Sequence, residues 1–251
     1  MTNYLIEEDV KEFIRRLPVI TLDPPSVHLQ MLNIRSRKAR EIMGFKIHDL
    51  VVERRVIRPI PEWRDKYFNS TYNLSVLQHE GRYECKGILA PAEAMGIFAT
   101  ISPRSVEKAN IALMKETIEH AFQKGEDPKR ELSKVPSKFF GYLHAHKERS
   151  RNFVTLDIDN DSQTMLFEIL DKVSILPIWM ATETSRGYHV ILELTKSDDA
   201  RTFYGKNGLM QQLGLAYAKQ GLEIQRDSQE PLSGTAYYRK KGSINYVRII
   251  R

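Results

Sequence analysis

Residues Phe153-Val154-Thr155-Leu156-Asp157-Ile158-Asp159 constrain this chain more than any other stretch. At the two-residue period of a strand, Val154, Leu156 and Ile158 fall on one face, and Thr155, Asp157 and Asp159 on the other. The apolar face must be buried, so the two acids cannot simply swing into bulk water. A strand rises about 3.3 Å per residue, which sets the two carboxylates roughly 6–7 Å apart at Cα and pointing the same way. Like charges at that spacing raise each other's proton affinity unless a cation sits between them. The pair is therefore a candidate site for a divalent metal with oxygen ligands, the chemistry of Mg²⁺ or Mn²⁺. The alternative is two exposed acids at a strand end running into Asn160-Asp161.

The following residues build a unit around this strand. Asp161-Ser162-Gln163 can cap a helix, and Leu166, Ile169, Leu170 and Val173 continue at helical spacing. Residues 175–180 and 188–194 read as strands joined by the polar turn Glu183-Thr184-Ser185-Arg186-Gly187. In the second of them Tyr188, Val190, Leu192 and Leu194 share one face, and His189, Ile191 and Glu193 the other. Ser185, Arg186, the Gly187 backbone and His189 can together present a hydroxyl, a guanidinium, N–H groups and an imidazole to one anion, for which phosphate is the natural guest. A lone strand histidine is otherwise structural.

Asp157-Ile158-Asp159, then Ser185-x-x-x-His189, then an isolated Asp227 after Leu222 and Ile224 resemble the three-motif signature of the archaeo-eukaryotic primase (primase-polymerase) superfamily. Two further stretches agree. Phe98-Ala99-Thr100-Ile101-Ser102-Pro103-Arg104 resembles the strand ending in Asn-Pro-Arg of several plasmid and phage-type members, with Ser102 where Asn is commoner. Pro231-Leu232-Ser233-Gly234-Thr235 and Tyr238-Arg239-Lys240 resemble the Pro-Gly-Thr and basic segment after the third motif, with Ser233 interrupting the Pro-Gly pair. The likeness spans residues 95–250. It implies an α+β fold with an RRM-like catalytic core and two divalent metal ions, Mg²⁺ or Mn²⁺, held by Asp157, Asp159 and Asp227. It also implies nucleoside triphosphate binding at Ser185, Arg186, Gly187 and His189, with Arg104, Arg239 and Lys240 as phosphate or template contacts. The activity implied is primer synthesis and DNA extension on a single-stranded template. A metal-dependent nuclease, or a non-catalytic nucleic-acid-binding module of the same fold, would carry many of the same residues.

A chain of 251 residues can form one large domain or two small ones. We place an N-terminal α/β region at 1–95 and the RRM-like catalytic region at 96–251, packed together with a cleft between them. The net charge of +6 favours a polyanionic partner. Two basic runs, Arg35-Ser36-Arg37-Lys38-Ala39-Arg40 and Arg54-Arg55-Val56-Ile57-Arg58, lie near Trp63 and Tyr67, which suits single-stranded DNA as well as a solvated surface. The single Cys85 excludes a disulfide framework, a zinc knuckle and a cysteine-ligated iron cluster, and it fits a reducing, cytoplasmic setting. No signal segment and no apolar run near the ~20 residues of a bilayer span is expected. A helicase, CRISPR or mobile-element partner would not be visible in the sequence.

Elsewhere the pattern predicts a helix at 7–17, a strand at 27–34, and a hairpin of 72–79 with 82–89 about Glu80-Gly81. It also predicts a strand at 97–101, a long helix at 105–124, one helix at 200–220 ending at Gly221, and a strand at 222–226. His144 and His146 are read on one strand face, in a polar connection leading into the acid-bearing strand.

Overall fold

In the computed structural model, the described residues are 4–44, 50–85, 87–123, 128–147, 152–184, 186–226, 229–237 and 245–250. The elements in order are α1 (Glu7–Arg16), β1 (Ser26–Ile34), α2 (Ser36–Met43), β2 (Leu50–Ile57), α3 (Trp63–Glu80), β3 (Tyr83–Cys85), β4 (Ile88–Ala90), β5 (Met95–Thr100), β6 (Arg104–Ser105), α4 (Val106–Gln123) and α5 (Pro128–Ala145). They continue with β7 (Phe153–Ile158), α6 (Gln163–Val173), β8 (Ile178–Glu183), β9 (Tyr188–Glu193), α7 (Ser197–Tyr204), α8 (Leu209–Tyr217), β10 (Leu222–Arg226), β11 (Gln229–Pro231) and β12 (Arg248–Ile249).

The architecture is mixed α+β with antiparallel sheets. One sheet has the order β11-β5-β1-β2, with β6 also on β1; the other has the order β10-β7-β9-β8-β12. The first sheet therefore takes β5, β6 and β11 from residue 95 onward. Among the described residues no helix is long and apolar enough to cross a membrane.

The alternation along β7 divides two environments. Val154, Leu156 and Ile158 are buried with Leu166, Ile169 and Val173 of α6 and with Leu213 and Tyr217 of α8. Phe153, on the opposite face, joins the core that links Ile191 and Met180 to α1 and the first sheet. Ring contacts seal that junction: Trp179 meets Phe13 at 5.7 Å and Phe153 at 5.6 Å, both edge to face. Each such pair is worth about 0.5–1.5 kcal/mol beyond its buried area. The Trp179 indole donates to the Arg16 carbonyl at 3.1 Å, and Arg16 returns a hydrogen bond to the Trp179 carbonyl at 2.6 Å. Sheet and helix are thus locked at this end. Further along the same face, Thr155, Asp157 and Asp159 lie where the two sheets part.

Several local expectations match. Ser162 caps α6 by accepting from the Met165 N–H at 3.3 Å, and Gly221 takes the left-handed φ of 101° that ends the segment before β10. Others are corrected. Residues 72–79 are no strand but the second half of α3, whose buried Trp63, Tyr67, Thr71, Leu74, Ser75 and Gln78 recur at helical spacing. The hairpin there is β3 with β4. The helix expected at 200–220 breaks into α7 and α8, because Gly205 ends the first and Asn207 adopts a φ of 64° between them. His144 belongs to the last turn of α5, not to a strand.

Candidate functional site

Asp157 sits opposite His189 in the β7–β9 ladder and opposite Glu223 in the β7–β10 ladder. Cross-strand neighbours on one face stand about 4.5–5.5 Å apart at Cβ, close enough for side chains to meet. They do: His189 Nε2 lies 3.3 Å from Asp157 Oδ1, and Gln225 Nε2 donates to Asp157 Oδ2 at 3.1 Å. His189 Nδ1 donates to Glu230 Oε2 at 2.7 Å, and the Thr155 hydroxyl donates to the other oxygen of Glu230. Glu230 comes from β11, so this buried carboxylate joins the first sheet to the second beneath the site. Burial works against charge on His189, but the hydrogen bonds to Asp157 and Glu230 and their attraction prevail. They hold its pKa well above the ordinary imidazole value.

Asp159, just past the end of β7, is more exposed and carries its own cation: Arg37 Nη1 donates to its Oδ2 at 3.1 Å. Arg37 belongs to α2, as does Glu41, which accepts from Arg186 Nη2 at 2.7 Å. One helix of the first half thus reaches both the end of β7 and the turn before β9. Asp157, Asp159, Arg37, Arg186, His189 and Gln225 line a cleft of about 320 Å³ whose walls also include Arg35, Phe98, Pro231 and Tyr237.

The turn before β9 is closed by its own backbone and lies tight against β7. Thr184 N–H donates to the Gly187 carbonyl at 2.8 Å. A Cβ at Gly187 would stand 1.8 Å from the Ile158 carbonyl oxygen, so no side chain fits there. Glycine is required by this close approach.

Of the expected site residues, Asp157, Asp159, Arg186 and His189 line the one cleft, and Gly187 lies beside it. Arg104 does not; it is buried on β6 with Val27 as its ladder partner. Asp227, Ser185, Arg239 and Lys240 lie outside the described residues; the described neighbours of Asp227, Arg226 and Gln229, belong to different sheets. Glu230, Gln225 and Tyr237 are new to the site. The only local signal for Glu230 was its place three residues after Asp227; Arg35 and Arg37 were legible only as members of a basic run.

The donor chemistry of Asp157 and Asp159 suits Mg²⁺ or Mn²⁺. Among the described residues, no group of three or more His, Cys, Asp or Glu side chains is gathered as a metal centre. No protein-family model, no curated protein and no solved structure matches this chain.

Proposed function

We propose that this chain is a template-directed nucleotidyltransferase, a DNA primase-polymerase, acting in the cleft at the end of β7. The observation that carries this reading is the meeting of two carboxylates, Asp157 and Asp159, with a charged imidazole and with arginines from both halves of the chain. Such a set suits a reactant that is a polyanion accompanied by divalent cations. The β7-α6-β8-β9-α7/α8-β10 run, with strands in the order fourth, first, third, second, has the βαββαβ topology of RRM folds and supports an RRM-like core.

In this reading Asp157, Asp159 and Asp227 hold two divalent ions, which when bound lower the pKa of the attacking 3′-hydroxyl and neutralise charge on the leaving pyrophosphate. Ser185, Arg186, the Gly187 backbone and His189 bind the incoming triphosphate. In the folded chain these acids and bases are paired: Asp157 with His189, Asp159 with Arg37, and Arg186 with Glu41. To take a phosphate, each cation exchanges a carboxylate for it. Cation binding by the acids and triphosphate binding by the bases therefore favour each other. Single-stranded DNA is the template, drawn by the net positive charge.

The test incubates labelled single-stranded DNA with Mn²⁺, with and without nucleotides, beside an unprimed single-stranded circle. Extension or unprimed products that disappear in Asp159→Ala support the reading. Shortening without extension would identify a metal-dependent nuclease, and binding without either would leave a nucleic-acid-binding module.

A further inference from the structure

Of the arginines lining the cleft among the described residues, Arg37 and Arg186 each hold a carboxylate, but Arg35 holds none. It is only 8% exposed, and its Nε and Nη2 are buried with no hydrogen-bond partner among the described residues. Those two nitrogens form the side-on edge of the guanidinium, the fork that takes the two oxygens of one phosphate or carboxylate. The side chain is held for the purpose. Its carbon stem passes over Gly96, where a Cβ would come within 3.3 Å of Arg35 Cδ, and its Cζ stacks 3.9 Å from the centre of the Tyr237 ring. The Arg35 N–H donates to the Ala94 carbonyl at 2.8 Å, and its carbonyl accepts from Ala39 at 2.8 Å, so the backbone cannot drift. Stacking occupies the flat face of the guanidinium and leaves the edge unused. A buried charged donor without an acceptor is costly in the free protein, which is what a preformed ligand site requires and a purely structural arginine does not.

We propose that the Nε/Nη2 edge of Arg35 is a phosphate subsite on the first-sheet wall of the cleft, distinct from the turn that carries Arg186 and His189. Tyr237 stacks on the face beside that edge and leaves the edge itself to the ligand. The identity of the ligand rests on the nucleotidyl-transfer reading. That reaction joins two phosphate-bearing reactants, and the second-sheet wall serves the incoming triphosphate. Arg35 then takes a phosphate of the other reactant, the one that supplies the 3′-hydroxyl. This phosphate belongs either to a free nucleoside triphosphate that starts a strand or to the backbone of a strand already made.

The test compares the full chain with Arg35→Met and Arg35→Lys in the presence of a chelator. It measures thermal melting and the affinities for a deoxynucleoside triphosphate and for a short single-stranded DNA. Arg35→Met should melt at the same or a higher temperature without ligand, since it removes an unpaired buried charge, yet lose about tenfold or more in affinity for at least one probe. Arg35→Lys should restore little, because it keeps the charge but not the fork. A loss confined to the strand assigns the phosphate to a strand backbone, and a loss confined to the triphosphate assigns it to a free nucleotide. A lower melting temperature with both affinities unchanged overturns the proposal and makes Arg35 a structural residue. The two readings separate cleanly. Wild-type incorporation of nucleotides with no affinity loss in Arg35→Met removes the subsite alone, whereas affinity loss without any incorporation leaves the subsite and removes nucleotidyl transfer.

Discussion

Glu230→Gln tests whether the buried carboxylate keeps His189 charged. Glu230 is 2% exposed at its side chain and stands 2.7 Å from His189 Nδ1. At an effective dielectric of ~20, two unit charges at that distance attract by about 6 kcal/mol gross. Desolvation of both groups takes back most of this, and measured hydrogen bonds to charged groups net about 1.5–3 kcal/mol. A cycle of Glu230→Gln, His189→Gln and the double variant, unfolded by urea in chelator, should therefore give a coupling of about 1.5–3 kcal/mol just below the ordinary imidazole pKa. The pH dependence has a definite sign. The folded pKa of His189 is raised above 6.5, so its stabilisation is fully present below pH 6.5 and is lost as pH rises through the folded value. Stability of the wild type should fall over that range, and Glu230→Gln should fall less because its folded pKa is lower. A coupling under about 0.5 kcal/mol, or identical pH slopes in the two proteins, would refute the charge-holding role of Glu230.

His28 works in the opposite direction: its ring is fully buried, Nε2 bonds the Pro18 carbonyl at 2.8 Å, and burial pushes its pKa down to about 4. Stability should thus be lost as pH falls from 6.5 towards 4, by about 3 kcal/mol, and His28→Gln should flatten this acid limb in urea titrations. Asp157→Ala and Asp159→Ala should both abolish nucleotide incorporation but differ in stability. Loss of Asp157 deprives His189 and Gln225 of an acceptor and should cost about 1–3 kcal/mol. Loss of the exposed Asp159–Arg37 pair should change stability by under about 1 kcal/mol. Equal stabilisation of both variants would mean that repulsion between the acids outweighs their separate cations. Gly187→Ala forces the turn away from the Ile158 carbonyl, so urea unfolding should show a loss of about 2–4 kcal/mol and nucleotide titration a weakened site.

The features legible before folding are those that local periodicity encodes. The two faces of β7 and β9, the cap at Ser162, the stop at Gly221 and the bounds of β10 were legible, because the apolar spacing of each element reflects the surface that it must bury. The same reasoning misassigned 72–79, where the helical face becomes plain only when Trp63 and Tyr67 are counted with Leu74 and Gln78. The acids, Arg186 and His189 could be nominated, but not their partners. Glu230 reaches His189 across 41 residues of chain, and Arg37 reaches Asp159 across 122. Nothing in the residues beside Arg35 announces that its guanidinium would be buried, stacked on Tyr237 and left without an acceptor among the described residues. Such pairings depend on how two sheets pack, and packing is decided by the whole core rather than by any one stretch. Two carboxylates that look mutually repelling in the sequence are therefore, in the folded chain, each answered by a cation from a different element.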